Sequence, residues 1–175
     1  MRTTGLAGVA LAVLLSATTG VAQETTDNRV AAETDWSVFQ ETDPVECFGV
    51  SAPKLQVNTR DGAPVAVTRG ETLLFVFFRP GEGVTGQVTF TGGYPFAPDS
   101  TVGLDIGGTQ FTLFTEGDWA WPASPEEDTR IVEAMKRGSQ AVLTGVSGRG
   151  TQTQDTFSLL GFTAAIEQAQ ARCAS

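Results

Sequence analysis

The chain has 175 residues, with 11 Lys and Arg against 20 Asp and Glu, a formal charge of −9, and 41% hydrophobic side chains. That length suits one domain with a proper core, and so acidic a surface repels phosphate backbones and anionic lipid heads, which argues against nucleic acid as a partner. Histidine is absent, which removes the Ser-His-Asp triad, the Cys-His pair and every His-based zinc site.

Residues 1–22 divide as a secretory signal does. Arg2 is their single charge, Leu6 to Leu15 is a mostly apolar run, and a small-residue stretch ends at Gly20-Val21-Ala22. Cleavage after about Ala22 predicts a periplasmic or secreted protein. A membrane anchor needs about 20 apolar residues, twice what this run supplies, and the mature chain holds no other segment of that kind. The polar stretch 23–34 reads as a disordered lead-in. Residues 35–175 are then the single domain.

From Trp36 onward, short alternating runs between glycine turns predict strands. Trp36-Ser37-Val38-Phe39 and Val45 to Val50 form the first pair. Leu55 to Arg60 and Ala63 to Thr68 flank Asp61-Gly62, a strong hairpin signal, and Pro64 demotes the second of these to an edge. Leu73 to Phe78 is apolar at every position, which predicts a central strand covered on both faces. Val88 and Phe90 alternate with Gln87 and Thr89. Val102, Leu104 and Ile106 repeat the pattern, and Gly107-Gly108 turns the chain into Gln110 to Phe114.

Ser124-Pro125-Glu126-Glu127 is a capping box with proline at the first helical position. It predicts a helix near 125–137, with Ile131, Val132 and Met135 on its apolar stripe, Lys136-Arg137 at its negative end and Gly138 as the stop. Strands Ala141 to Thr144 and Thr153 to Leu160 follow, joined by Ser147-Gly148-Arg149-Gly150. A helix near 163–172 closes the chain. The whole predicts a mainly β, single-domain antiparallel sandwich or barrel-like fold with two helices.

The two cysteines, Cys47 and Cys173, stand near opposite ends of the exported chain and belong to no CxxC pair. In an oxidising compartment they read as a structural disulfide. The alternative is a reactive thiol, for which no histidine exists as an activating base. Aromatics gather in Tyr94-Pro95-Phe96 and Trp119-Ala120-Trp121-Pro122. Trp119, Trp121, Tyr94 and Phe96 are therefore a candidate binding patch, against the plainer reading that they cover the open end of the fold. Ser147 to Thr151 resembles an anion-binding loop only superficially, since no helix follows it. Glu116 and Asp118 lie beside the tryptophans, and Glu82 and Asp105 sit near turns, but nothing in the chain places any two at the separation a glycosidase needs. Glu126-Glu127-Asp128 reads as charge at a helix start. No spaced acidic motif supports calcium, and no catalytic, metal or cofactor residue is predicted.

Asp155-Thr156-Phe157-Ser158-Leu159-Leu160-Gly161-Phe162-Thr163-Ala164-Ala165 resembles the closing signature of the invasion-associated locus B family, exported proteins of Gram-negative alphaproteobacteria. Asp35-Trp36-Ser37-Val38 before a cysteine strand resembles the family's opening. Arg79-Pro80-Gly81 leading to Gly86-Gln87-Val88-Thr89-Phe90 resembles its central strand. The likeness spans about Trp36 to Cys173. Many relatives carry further cysteines that this chain lacks, with Gln40 where one would stand, so a multi-disulfide pattern does not transfer. The resemblance supplies no catalytic residues. It implies a non-enzymatic exported module of the periplasm or cell surface that binds a protein or envelope component. The competing expectation is a carbohydrate-binding or glycan-active protein using Trp119 and Trp121 with Glu116 or Asp118.

Overall fold

The computed structural model describes residues 28–174. The export signal, and the lead-in as far as residue 27, lie outside the described residues. Twelve strands make one antiparallel sheet: β1 (Arg29–Glu33), β2 (Trp36–Thr42), β3 (Val45–Ser51), β4 (Leu55–Arg60), β5 (Ala63–Pro64), β6 (Leu73–Arg79), β7 (Val84–Thr91), β8 (Thr101–Ile106), β9 (Thr109–Glu116), β10 (Trp119–Trp121), β11 (Gln140–Val146) and β12 (Gln152–Ser158). Their spatial order is β1-β2-β3-β6-β7-β10-β9-β8-β11-β12-β4-β5, so the sheet stays open, with β1 and β5 as its edges. It curls until the inward side chains of β7 and β12 meet, where Phe90 stands edge-on to Phe157 at 6.1 Å.

Two helices fill the concave side, and the first starts where its capping box predicts. In α1 (Pro125–Arg137) the Ser124 side chain accepts from the Glu127 N–H, and Ile131 and Met135 are the buried positions. Helix α2 (Phe162–Cys173) lies against β1, β2, β3 and β6. It can approach that closely because β3 carries Gly49, where a Cβ would stand 2.6 Å from Ile166 Cδ1. Its entry depends on Gly161, whose φ of 87° is left-handed and whose Cβ would overlap the Glu33 carbonyl; only glycine meets both demands.

Three expectations are corrected. The lead-in is not disordered through residue 34: Arg29–Glu33 pairs with β2 as an edge strand, Val30 and Ala31 pack on the core, and Gln168 of α2 donates to Glu33 at 2.5 Å. Backbone pairing and these contacts recruit a segment that has no apolar alternation of its own. The strand expected over 63–68 is only Ala63–Pro64. Beyond it Arg69 is drawn inward to the buried Asp155, and the intervening residues leave the sheet. Finally, β6 is covered on one face only. Leu74, Val76 and Phe78 are buried, while Leu73, Phe75 and Phe77 remain partly open, because both helices occupy the concave side.

Candidate functional site

Cys47 of β3 and Cys173 at the foot of α2 form a disulfide, with Cα atoms 5.8 Å apart across 126 positions of sequence. Both are buried, so neither offers a reactive thiol to solvent. The same corner holds the two ends of the domain together by other means. Trp36 is buried, donates its Nε1–H to the Ser158 carbonyl at 3.0 Å and meets Phe162 edge-on at 4.9 Å. The Asp35 N–H reaches the Leu160 carbonyl at 3.3 Å. Lys54 pairs with the Asp35 carboxylate at 2.5 Å, and this hydrogen bond, aided by Ser158, holds its pKa below the usual value. The opening and closing segments of the domain are thus one packing unit.

The four candidate aromatics separate. Trp119 and Trp121 share the outward face of β10, with Ala120 buried between them, as an extended segment requires. Phe96 is buried core. Tyr94 stacks edge-on to Phe96 at 5.1 Å, packs against the core and shares a 2.5 Å hydrogen bond with the buried Thr153 hydroxyl on the inner side of the sheet. Burial pushes the Tyr94 phenol up from its ordinary value. So the structure brings together the tryptophan pair and sets the other two members of the patch apart from it.

What joins the tryptophans is a set of phenylalanines. On the convex face of β2, β3 and β6, Phe39 stacks on Phe48 at 5.2 Å, Phe48 meets Phe77 at 5.2 Å, and Phe77 stacks on Phe75 at 5.1 Å. Phe75 then reaches Trp119 at 6.0 Å. Pair register explains the row, since Phe39 lies opposite Phe48 and Phe48 opposite Phe77. Arg79 lies 4.4 Å over the Phe77 ring and pairs with Glu46. Beyond Trp119 the row continues through Trp121 to its cross-strand neighbour Phe114, which is 51% exposed. A groove of about 690 Å³ flanks the phenylalanine end, bordered by Asp35, Glu41 and Glu71. Another of about 370 Å³ lies between Phe77, Arg79, Gln87, Thr89 and the two tryptophans.

A family model described as invasion associated locus B (IalB) protein matches residues 73–170. The chain belongs to the invasion associated locus B family. Its fold is similar to that of invasion associated protein B from Bartonella henselae, known from a crystal structure, with a TM-score of 0.56 and 15% sequence identity over 83% of this chain and 98% of that one. No curated protein matches it. In this family member the matched span holds β6, Trp119 and Trp121, while Phe39, Phe48 and both cysteines lie outside it.

Of the carboxylates singled out in the sequence, Glu116 and Asp118 share one turn of this IalB domain, while Glu82 and Asp105 lie at others. Glu116 and Asp118 are exposed at the β9–β10 turn, and Asp105 is engaged by Gln110 and the Gly108 N–H. None of the described residues lining the groove between the tryptophans is acidic. Among the described residues, no three Cys, Asp or Glu side chains come together as a metal site would require.

Sequence reasoning missed a buried charge pair. Arg69 grips Asp155 with two parallel bonds of 2.7 and 2.6 Å, donates twice to the Gly92 carbonyl, and lies 5.1 Å from the Tyr94 ring. Gln56 adds a 3.4 Å bond to the same carboxylate. A buried charge requires such a complete set of partners. The signal was present in the alternation of β12, where Thr153, Asp155 and Phe157 all point inward. Asp155 is the one charge on that face.

Proposed function

We propose that this protein is an exported, non-enzymatic binding module of the bacterial envelope that docks a partner protein on its convex aromatic face. The row from Phe39 through Phe75 to Trp119 is the observation that carries the reading. Half-open aromatic rings supported by a rigid sheet offer large contact area at little entropic cost, and such residues dominate binding energy at protein interfaces. The occupant is a protein surface whose apolar side chains are ringed by Lys and Arg. Glu41, Glu71 and Glu116 border the row, whereas Lys54 and Arg79 are already matched by Asp35 and Glu46. The same acidic border disfavours an anionic membrane surface. The signal-like residues 1–22 support delivery to the periplasm or cell surface.

Photo-crosslinking in cells tests the reading. A benzophenone side chain at Phe77 or Trp119 of the full exported chain should give a discrete adduct with a second protein. The same group at Gln154, exposed on distant β12, should give none. Absence of any adduct, or equal adducts at all three positions, refutes it. An adduct of twice the chain mass also refutes it, by making a second copy the occupant.

A further inference from the structure

On the side of the molecule where Tyr94 lies, the structure holds a separate cleft of about 620 Å³, within the range of small-molecule sites. The loop after β5 forms one wall through Val65 and Val67. Tyr94 and Pro95 form another, and the turn from Ser147 to Thr151 the third. Three arginines line it, Arg60, Arg69 and Arg149, and none of the described lining residues is acidic. This is a local reversal of sign in a chain of formal charge −9.

The three are not equivalent. Arg69 is neutralised by Asp155 beneath the floor and serves the fold. Arg60 and Arg149 make no ion pair among the described residues; the five pairs there use Lys54, Arg69, Arg79, Arg130 and Arg137. Arg60 is aimed rather than free, because its Nη2 donates to Thr151 Oγ1 at 2.7 Å. The nearest acid in sequence, Asp61, stands exposed at the tip of the β4–β5 turn. The turn amides are unavailable to a ligand, since the Arg149 and Thr151 N–H groups both donate to Ser147 Oγ. Recognition of an anion here therefore falls to the guanidinium forks, which suit carboxylate and phosphate geometry.

We propose that this cleft binds a small organic anion, a carboxylate or phosphate on an apolar body, with Arg60 and Arg149 holding the charge and Tyr94, Val65 and Val67 the body. The site is distinct from the convex aromatic face and does not depend on its role. The positive potential inside an acidic surface concentrates such anions at the mouth.

The test is a titration of the isotopically labelled, disulfide-intact protein with phenyl phosphate and with benzoate, followed by amide NMR. Saturable shifts are expected at Gly93, Gly148 and Gly150, with at least one of the two probes. Arg60→Gln and Arg149→Gln should each weaken the affinity about tenfold, the scale of one charged hydrogen bond, while resonances elsewhere stay in place. Benzyl alcohol, which lacks the charge, and inorganic phosphate, which lacks the body, should both bind more weakly. The proposal is overturned if neither aromatic anion saturates, if the arginine variants bind as tightly as the parent, if the shifts cluster at Phe75 and Trp119, or if either control matches the aromatic anions.

Discussion

The two faces of β6 carry the same kind of residue and have different fates. Leu74, Val76 and Phe78 point into the concavity and are sealed there with α2 and the disulfide, whereas Leu73, Phe75 and Phe77 face outward with only their aromatic neighbours for cover. Apolar residues are common on protein surfaces taken singly, but a contiguous aromatic row is not explained by folding alone. The inner face answers to stability, and the outer face is the one on which the proposed docking rests.

The largest test of this contrast is the clamp on the inner face. Breaking the Cys47–Cys173 bridge by Cys47→Ser with Cys173→Ser should cost about 2 to 5 kcal/mol, since the loop it closes is most of the domain. Urea unfolding of the oxidised parent and the variant measures it. A loss under about 1 kcal/mol would mean that Trp36, Gly161 and the α2 packing hold the ends together without the bridge.

Within β6 itself, Leu74→Ala should cost about 2 to 5 kcal/mol by leaving a cavity in the core. Phe75→Ala, one residue along, should cost about 1 kcal/mol, because water already reaches its ring. The chevron of each variant at matched denaturant gives the comparison. Equal costs would break the distinction and make the convex row part of the structural core.

The smallest effect concerns where the inner face meets its helix. The Asp128 carboxylate at the start of α1 accepts from the Val88 N–H at 2.8 Å, and burial against β7 pushes its pKa up from 3.8 to about 6 despite that bond. The folded state therefore binds this proton more tightly than the unfolded chain. Its stabilising contribution is complete below about pH 4 and is lost as pH rises through 6. Asp128 is only partly buried, so the change is on the order of 1 kcal/mol. Asp128→Asn should remove the decline between pH 4.5 and 7 in urea midpoints while keeping an acceptor for Val88. Asp35 and Glu126 are held below their usual values and act with opposite sign at lower pH. A decline unchanged in the variant would assign it elsewhere.

Local chemistry made much of this legible beforehand. The box Ser124-Pro125-Glu126-Glu127 marked the start of α1 because capping is satisfied within one turn. The glycine turns and alternating runs of β8 and β9 were readable for the same reason. The pair Trp119 and Trp121 was placed on one face by the two-residue period alone. The phenylalanines that extend it were not, since Phe39, Phe48, Phe75 and Phe77 lie on three strands and adjoin only through register between them. Phe96 was misplaced in the patch because a single ring after a proline carries no sign of which way the turn will face.

The sequence by itself determined that this is one acidic, strand-rich domain with two helices, one of them marked by a capping box, a lone pair of cysteines and a resemblance at its ends to the invasion associated locus B family. Those features rest on composition, short-range periodicity and the chemistry of single residues. Tertiary structure alone decided which side of β6 faces solvent, that Arg69 and Asp155 would meet from 86 positions apart, and that Arg60 and Arg149 would share a cleft. Each of these depends on how the sheet orders and curls, with β4 returning beside β12 and the helices filling one side only. Long-range pairing of that kind is a property of the assembled chain, and no window of sequence contains it.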